Sequence, residues 1–408
     1  MLQPYRDNFN GRQFSSQRYA ELLHRLDQRT RTDISFRVCE TPCFFDRALL
    51  DQMCSIGQEL THQLVDSPSY LQRSDEAVPE LYRVPHDNPK PNFMTVDFGF
   101  VRDGAGVLHP KLVELQAFPS IFGYQDVLCE EYRRIYDLDP QLEFRLSGLT
   151  ETGYWNLLRR TIVGNHSPEN TVLMEVEPET QKTLADFHVY EDRLGVCTVD
   201  LAKLRKHGRK LYYLKDGREI PIHRIFNRAI VDELERKNIR SAFDFRDDLD
   251  VEWAGQPNWY FRASKFSLPF LQHASVPKAV FLDDWFAGSR EGLPDDHREL
   301  LLKPLYSFAG RGIQFAPSAG ELASIPPHER RLYLLQERVH FEPVIATPFG
   351  MTQAEVRIMY VWPDDQEEML PVASLVRLGR GLMMGVDHNR EQAWVGGSAA
   401  FFPLAADK

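Results

Sequence analysis

The chain has 408 residues, 43% of them apolar and 26% charged, the balance of a globular protein with room for two or three domains. Lys and Arg total 48 against 59 Asp and Glu, a net charge of −11, which disfavours a dedicated nucleic-acid binder because that class carries a basic surplus. Aromatics at 12% argue against a disordered chain, and no run approaches the ~18 apolar residues of a membrane helix.

The polar start MLQPYRDNFNGRQ has no apolar signal-peptide core. Five cysteines (Cys39, Cys43, Cys54, Cys129 and Cys197) are scattered and odd in number, with a single C-x3-C. Reduced thiols in a cytoplasm are expected, not disulfides or a zinc site. Neither H-E-x-x-H nor the G-x-x-x-x-G-K-[ST] phosphate loop occurs.

Residues 15–27 have helical spacing, with Ser15 or Ser16 as a cap. Residues 34–38 (ISFRV) alternate like a strand, and residues 45–65 repeat apolar groups three and four apart, as a long amphipathic helix does. The Pro-rich stretch Val78 to Pro91 reads as a loop. Residues 94–100 (MTVDFGF) and 111–117 (KLVELQA) read as a hairpin around Asp103-Gly104, unusual in carrying Asp97, Glu114 and Gln116. Glu114 and Gln116, two apart, share one face of their strand.

Residues 125–165 are predicted helical, interrupted near Gly148 and Gly153. Strand–helix alternation follows: strands at 171–176, 195–199, 211–214 and 218–225, helices at 181–193 and 228–237. This predicts a separate α/β domain over residues 125–250. The basic run Lys203–Lys210 reads as a solvated turn. Asn227-Arg228 follows an apolar strand and opens a helix, a place where substrate anions often bind. Tyr124 and Gln125 follow the carboxylate strand, and structural capping is the alternative reading for all four residues.

Beyond residue 251 the pattern changes. Lys265 opens a short helix over 264–273, a strand covers 278–282, and the strand 299–305 (ELLLKPL) carries Lys303 into the loop YSFAGRGIQF. Backbone amides of such a loop, with Ser307, Gly310 and Gly312, can wrap a polyphosphate, and a lysine beside it neutralises phosphate charge. The strand 332–340 presents Gln336-Glu337 at its end; backbone groups there can meet an adenine edge, with Glu337 or Glu342 accepting from ribose hydroxyls. Residues 354–362 and 370–378 read as an antiparallel pair around PDDQEE. They carry Glu355, Arg357 and Arg377, and Asn389 and Gly396-Gly397 follow. Arginines in apolar strands need partners, and a salt bridge within the sheet is the plain alternative to an anion-binding role.

Taken in order, these features are a lysine with a proline twelve residues on (Lys265, Pro277), a strand lysine with a Gly loop, an apolar strand with Gln-Glu, then E-V-R and R…N…G-G. The series resembles the ATP-grasp superfamily of amide-forming ligases. In those enzymes a strand with Asp and then E-x-N follow the G-G turn; here Asp97 and Glu114-Leu115-Gln116, then Pro119, lie near the other end. The sequence therefore resembles a circularly permuted ATP-grasp of the glutathionylspermidine synthetase type. Gln116 stands where the pattern has Asn, and Thr95 where several ligases have Arg.

The resemblance implies a mixed α/β (α+β) fold. Residues 1–124 would complete the ATP-grasp C-terminal subdomain, 125–250 would form a substrate domain like that preceding other ATP-grasp cores, and 251–408 would form the nucleotide-binding core. It implies ATP held by Lys265, Lys303, Ser307, Gly310, Gly312, Gln336, Glu337, Val339 and Glu342. Two magnesium ions would lie on Asp97, Glu114 and Gln116, with Arg377, Arg357 and Asn389 stabilising the transferring phosphoryl group. The implied activity joins a small-molecule or peptide carboxylate to an amine or thiol through an acylphosphate. A phosphotransferase and a non-catalytic nucleotide-binding protein are the alternatives, and neither nucleic acid nor membrane is an expected partner. Permutation requires strand 94–100 to lie beside the 370–398 region in one sheet.

Overall fold

The computed structural model describes residues 1–404 apart from 291, 307–311, 382–383 and 385–390. Helix α1 (Ser16–Thr30) starts at Ser15, whose hydroxyl accepts from the Arg18 N–H, and stops at Arg31, where a φ of 56° turns the chain. Helix α2 (Arg47–Val65) is capped by the Asp46 carboxylate. Strands β1 (Phe93–Arg102) and β2 (Leu108–Gln116) form the expected hairpin, followed by helices α3 (Phe122–Ile135) and α4 (Glu151–Ile162). Then come β3 (Thr171–Glu175), α5 (Leu184–Leu194), β4 (Cys197–Asp200), β5 (Arg224–Asn227), α6 (Val231–Lys237), β6 (Glu252–Ala254) and α7 (Pro257–Arg262). The last third holds β7 (Ala279–Phe281), β8 (Leu300–Pro304), β9 (Gln314–Phe315), β10 (Tyr333–Glu337), β11 (Pro343–Thr347), β12 (Gly350–Val361), β13 (Leu370–Gly379) and β14 (Gly396–Pro403).

The fold is mixed α/β, and three of its sheets position the site. The largest runs β14-β13-β12-β1-β2, with β11 added on β12 and the short strands Cys43–Phe44 and Leu142–Glu143 on β14. Strands from both ends of the sequence thus share one sheet: β1 lies in the same layer as the 370–398 region, with β12 between them. A parallel sheet runs β6-β5-β3-β4, and an antiparallel sheet runs β7-β10-β8-β9. No helix among the described residues is long and apolar enough to cross a membrane.

The two faces of the large sheet follow the two-residue period of its strands. Val356, Ile358 and Tyr360 join Val96 and Phe98 in one core with Leu50, Met53 and Leu60 of α2. The Tyr360 hydroxyl reaches the Met53 and Cys54 carbonyls at 3.2 and 3.0 Å, over Gly57, where a Cβ would stand 2.0 Å from that oxygen. On the opposite face, Phe93, Met359, Val361 and Leu375 pack in a second core with Phe122 of α3. Farther along the same face the residues are Asp97, Arg357, Glu355 and Arg377, so α3 packs on the apolar half and the charged half lies beyond it.

Four local expectations are corrected. Residues 34–38 form no strand; Val38 makes one bridge to Gly397, because only the Arg37 carbonyl and the Cys39 N–H reach it, and the Ile34 N–H is taken by the Asp27 carboxylate. The 264–273 helix is a 3-10 turn over Lys265–Phe270, which contains Pro269 with no N–H to extend it. The expected strand 218–225 splits at His223, whose N–H bonds to the Asn170 carbonyl, and its halves join different sheets. Gly153 does not interrupt a helix but lies in the first turn of α4, where its N–H donates to the capping Thr150 hydroxyl.

The Gly57–Tyr360 contact gives a stability prediction. Gly57→Ala displaces a buried ring and is expected to lower unfolding free energy by about 1–3 kcal/mol. Gly320→Ala, in open space on the helix Ala319–Ser324, is expected to raise it by up to about 1 kcal/mol. Urea midpoints check both, and equal midpoints for the two variants would remove the close-packing argument.

Candidate functional site

The charged half of the large sheet is built by register. Glu114 is paired with Asp97 and Asp97 with Arg357, making one row; Glu355 is paired with Arg377 in the next. The β1–β2 register shifts after Asp97, so that Phe98 faces Leu112 and Val113 is left over. Such bulges re-aim side chains, and this one leaves Glu114 opposite Asp97.

Asp97 is 3% exposed. Its Oδ1 accepts from Arg357 Nε at 2.6 Å, and its Oδ2 accepts from Arg357 Nη2 at 2.7 Å and from Arg377 Nη1 at 2.9 Å. Arg377 Nη1 also donates to Glu355. Burial opposes ionisation of Asp97, but the two guanidiniums outweigh it and hold the carboxyl down at about 2. Burial pushes the Glu355 carboxyl up, and Arg377 offsets only part of that.

The facing wall is the antiparallel sheet. Lys303 on β8 is opposite Leu334, while Gln336 on β10 is opposite Leu301 and Ala279; the two-residue period puts Lys303 and Gln336 on one face. Lys303 is 7% exposed, and among the described residues no hydrogen bond or ion pair reaches its ammonium. Burial lowers it to about 8, against the raising charges of Glu114 and Glu355 and with the lowering charge of Lys265. Those three charges are therefore near enough to act on one ammonium. The Gln336 side-chain oxygen is buried without a partner.

Lys265 is delivered by the 3-10 turn capped by Ser264. That segment runs along the outer edge of β2: the Leu112 N–H donates to the Ser275 carbonyl at 2.8 Å and the Ala117 N–H to the Ala263 carbonyl at 3.1 Å. Lys265 also acts on Asp232 of α6, and burial with the charges of Asp232 and Glu114 raises the Tyr260 hydroxyl. Asp232 and Tyr260 escaped sequence reasoning: both lie on short helices whose spacing marks no site.

The remaining expected residues divide. Gly312 has a φ of 74°, and a Cβ there would meet Pro304 at 2.8 Å; Ser307, Gly310 and Asn389 lie outside the described residues. Gln116 is half-buried opposite Thr95. Glu337 is tied to Lys278, donating from its N–H at 2.8 Å and accepting on its carboxylate at 3.1 Å. The Glu342 N–H bonds to the Phe100 carbonyl at 2.8 Å where the chain crosses β1, and Val339 is half-buried just before it. Arg228 is engaged by Asp186 at 2.5 Å, both fully buried, and lies between the Phe118 and Phe187 rings, so it is a packing residue and not an open anion site. Gln125 donates to the Ser374 and Ser398 carbonyls, fixing α3 to the sheet.

No protein-family model matches the sequence, and no curated protein matches it either. Among solved structures, the chain is similar to a glutathione synthetase-like effector from Globodera pallida in its apo form, with a TM-score of 0.59 and 12% identity over 97% of this chain and 99% of that one. At that identity the likeness is one of fold.

The buried ammonium has a pH signature. The folded value of Lys303, about 8, lies below its ordinary 10.5, so between them the unfolded chain binds more protons and unfolding free energy rises with pH. Lys303→Met is expected to stabilise the protein at pH 7 by on the order of 3 kcal/mol, with the gain shrinking as pH passes from about 8 to above 10. Denaturant titrations at pH 7 and 10 check this; a gain independent of pH would mean that the lysine is not held in the interior.

Proposed function

We propose that the protein is an ATP- and magnesium-dependent ligase that joins a carboxylate to an amine or thiol through an acylphosphate. The observation that carries the reading is Lys303, a buried ammonium facing Glu114 and Glu355 with Lys265 beside it. A lysine so desolvated is compensated when a phosphate oxygen takes its protons in hydrogen bonds. We further propose that the strand order is a circular permutation, with β1 and β2 supplying what other ATP-grasp chains add after β14.

Residues and ligands fit as follows. The orphaned Gln336 oxygen meets the adenine amine, and Lys303 and Lys265 hold the phosphates. Magnesium bound chiefly through phosphates needs one or two protein oxygen ligands, and Glu114 with Gln116 two residues on meets that need. Bound there, magnesium would supply charge neutralisation to the phosphates. Arg377, on the same face of the sheet, places a guanidinium where charge develops on the transferring group. The substrate carboxylate oxygen attacks the γ-phosphorus and ADP leaves; the amine nitrogen then attacks the acyl carbon, the C–O bond to phosphate breaks, and the phosphate leaves carrying the proton the amine gives up.

ADP and phosphate release against pools of amino acids, polyamines and small peptides tests the reading. Lys303→Ala is expected to weaken ATP binding about tenfold or more, as loss of a charged hydrogen bond does. Glu114→Gln is expected to abolish turnover while ATP still binds, and Glu367→Gln, on the exposed β12–β13 turn, to be silent. Wild-type release no greater than that of Lys303→Ala in every pool would sink the ligase reading.

A further inference from the structure

The carboxylates of the hairpin do not divide their work as the family resemblance implies. We propose that Asp97 is a positioning residue for Arg357 and Arg377, and not a metal ligand; this deepens the ligase reading and rests on it. Both Asp97 oxygens are already engaged, Oδ1 by Arg357 Nε at 2.6 Å and Oδ2 by Arg357 Nη2 at 2.7 Å and Arg377 Nη1 at 2.9 Å. The Asp97–Arg357 contact is a two-point fork, the geometry that best fixes a guanidinium plane. A cation on either oxygen has to displace a charge-assisted bond and strand an arginine side chain only 8% exposed, and an unpaired buried charge is strongly unfavourable.

The carboxylates whose charge acts on the Lys303 ammonium are Glu114 and Glu355. Asp97 lies one strand inward from Glu114, between β2 and β12. Its contacts leave Arg377 usable: that side chain is held by Asp97 and Glu355 through the single nitrogen Nη1 and stays 21% exposed. Among the described residues, its Nε and Nη2 make no hydrogen bond. They are aimed before any ligand arrives, so no reorganisation is needed when a phosphoryl group meets them.

Calorimetry separates the roles, with ATP titrated into the full-length protein in EDTA and again in saturating magnesium chloride. Asp97→Asn is expected to lose about tenfold or more of its metal-free ATP affinity and to keep the wild-type ratio of magnesium to EDTA affinities. Glu114→Gln is expected to keep its metal-free affinity and lose the ratio. Asp97→Asn with wild-type affinity in EDTA and a collapsed ratio would make Asp97 a metal ligand. Unchanged affinities with only a lower melting temperature would make it structural; either result overturns the proposal. Should Asp97→Asn not fold, Arg357→Lys keeps the charge and breaks the fork; the same metal-free loss is expected, and wild-type affinity in EDTA overturns the assignment. A wild-type protein that binds no ATP in either buffer removes the ligase reading itself, and this assignment with it.

Discussion

Asp97 faces Arg357 across the pairing of β1 with β12, in the middle of the large sheet. Neither charge tolerates that place alone, and each makes it tolerable for the other. Because the pair is bidentate and Arg377 is added from β13, three strands are locked in one register by a single carboxylate. A slip of one residue in β12 would put Arg357 among the aliphatic residues under α2 and an apolar residue against Asp97. The charges therefore specify the register as strongly as the apolar pattern does, and the site inherits its geometry from that specification.

From this register follows the division of the sheet face. Phe93, Met359, Val361 and Leu375 make a surface that α3 must cover, and Phe122 packs there. Two to four residues farther along, the same strands present Asp97, Arg357 and Arg377, which a helix could cover only by desolvating them further. The helix accordingly covers one half and stops short of the other. Gln125 fixes this placement by donating to the carbonyls of Ser374 and Ser398 on neighbouring strands, so a residue that touches no expected ligand decides where the covered surface ends.

Local features were legible in the sequence to the extent that their causes are local. The β1–β2 hairpin announces itself through Asp103-Gly104, the α2 helix through its spacing, and the β12–β13 pair through alternation around a polar turn. Glu355, two residues before Arg357, could be placed on the same face by counting. What depends on distant pairing could not be read. Arg228 looked open to anions because its partner Asp186 lies on another helix. Lys265 reads as the start of a short helix, but Asp232 becomes its neighbour, and Tyr260 that of Asp232, only through the packing of two short helices. The 34–38 segment alternates like a strand, yet its neighbour offers Gly397 alone as a bridge. The division of labour among Asp97, Glu114 and Glu355 is of the same kind, since all three are carboxylates at strand positions and only the packed arginines distinguish them.

The large sheet and the antiparallel sheet differ in how their charge is balanced. On the large sheet, Asp97 and Glu355 answer Arg357 and Arg377 through direct hydrogen bonds, so those two arginines are held in place without a ligand even though Arg377 keeps Nε and Nη2 unengaged among the described residues. On the antiparallel sheet, Lys303 carries its charge into the interior with no direct partner among the described residues, and the Gln336 oxygen is buried unsatisfied on the same face. Native proteins leave few buried polar groups unsatisfied, and each asks for a physical cause. A wall that is already satisfied holds its side chains still; a wall that is not gains stability from whatever binds. Tight orientation on one side and unmet bonding capacity on the other is the contrast on which the proposed phosphate site rests: Lys303 and the Gln336 oxygen lack partners among the described residues, while Arg357 and Arg377 are already held.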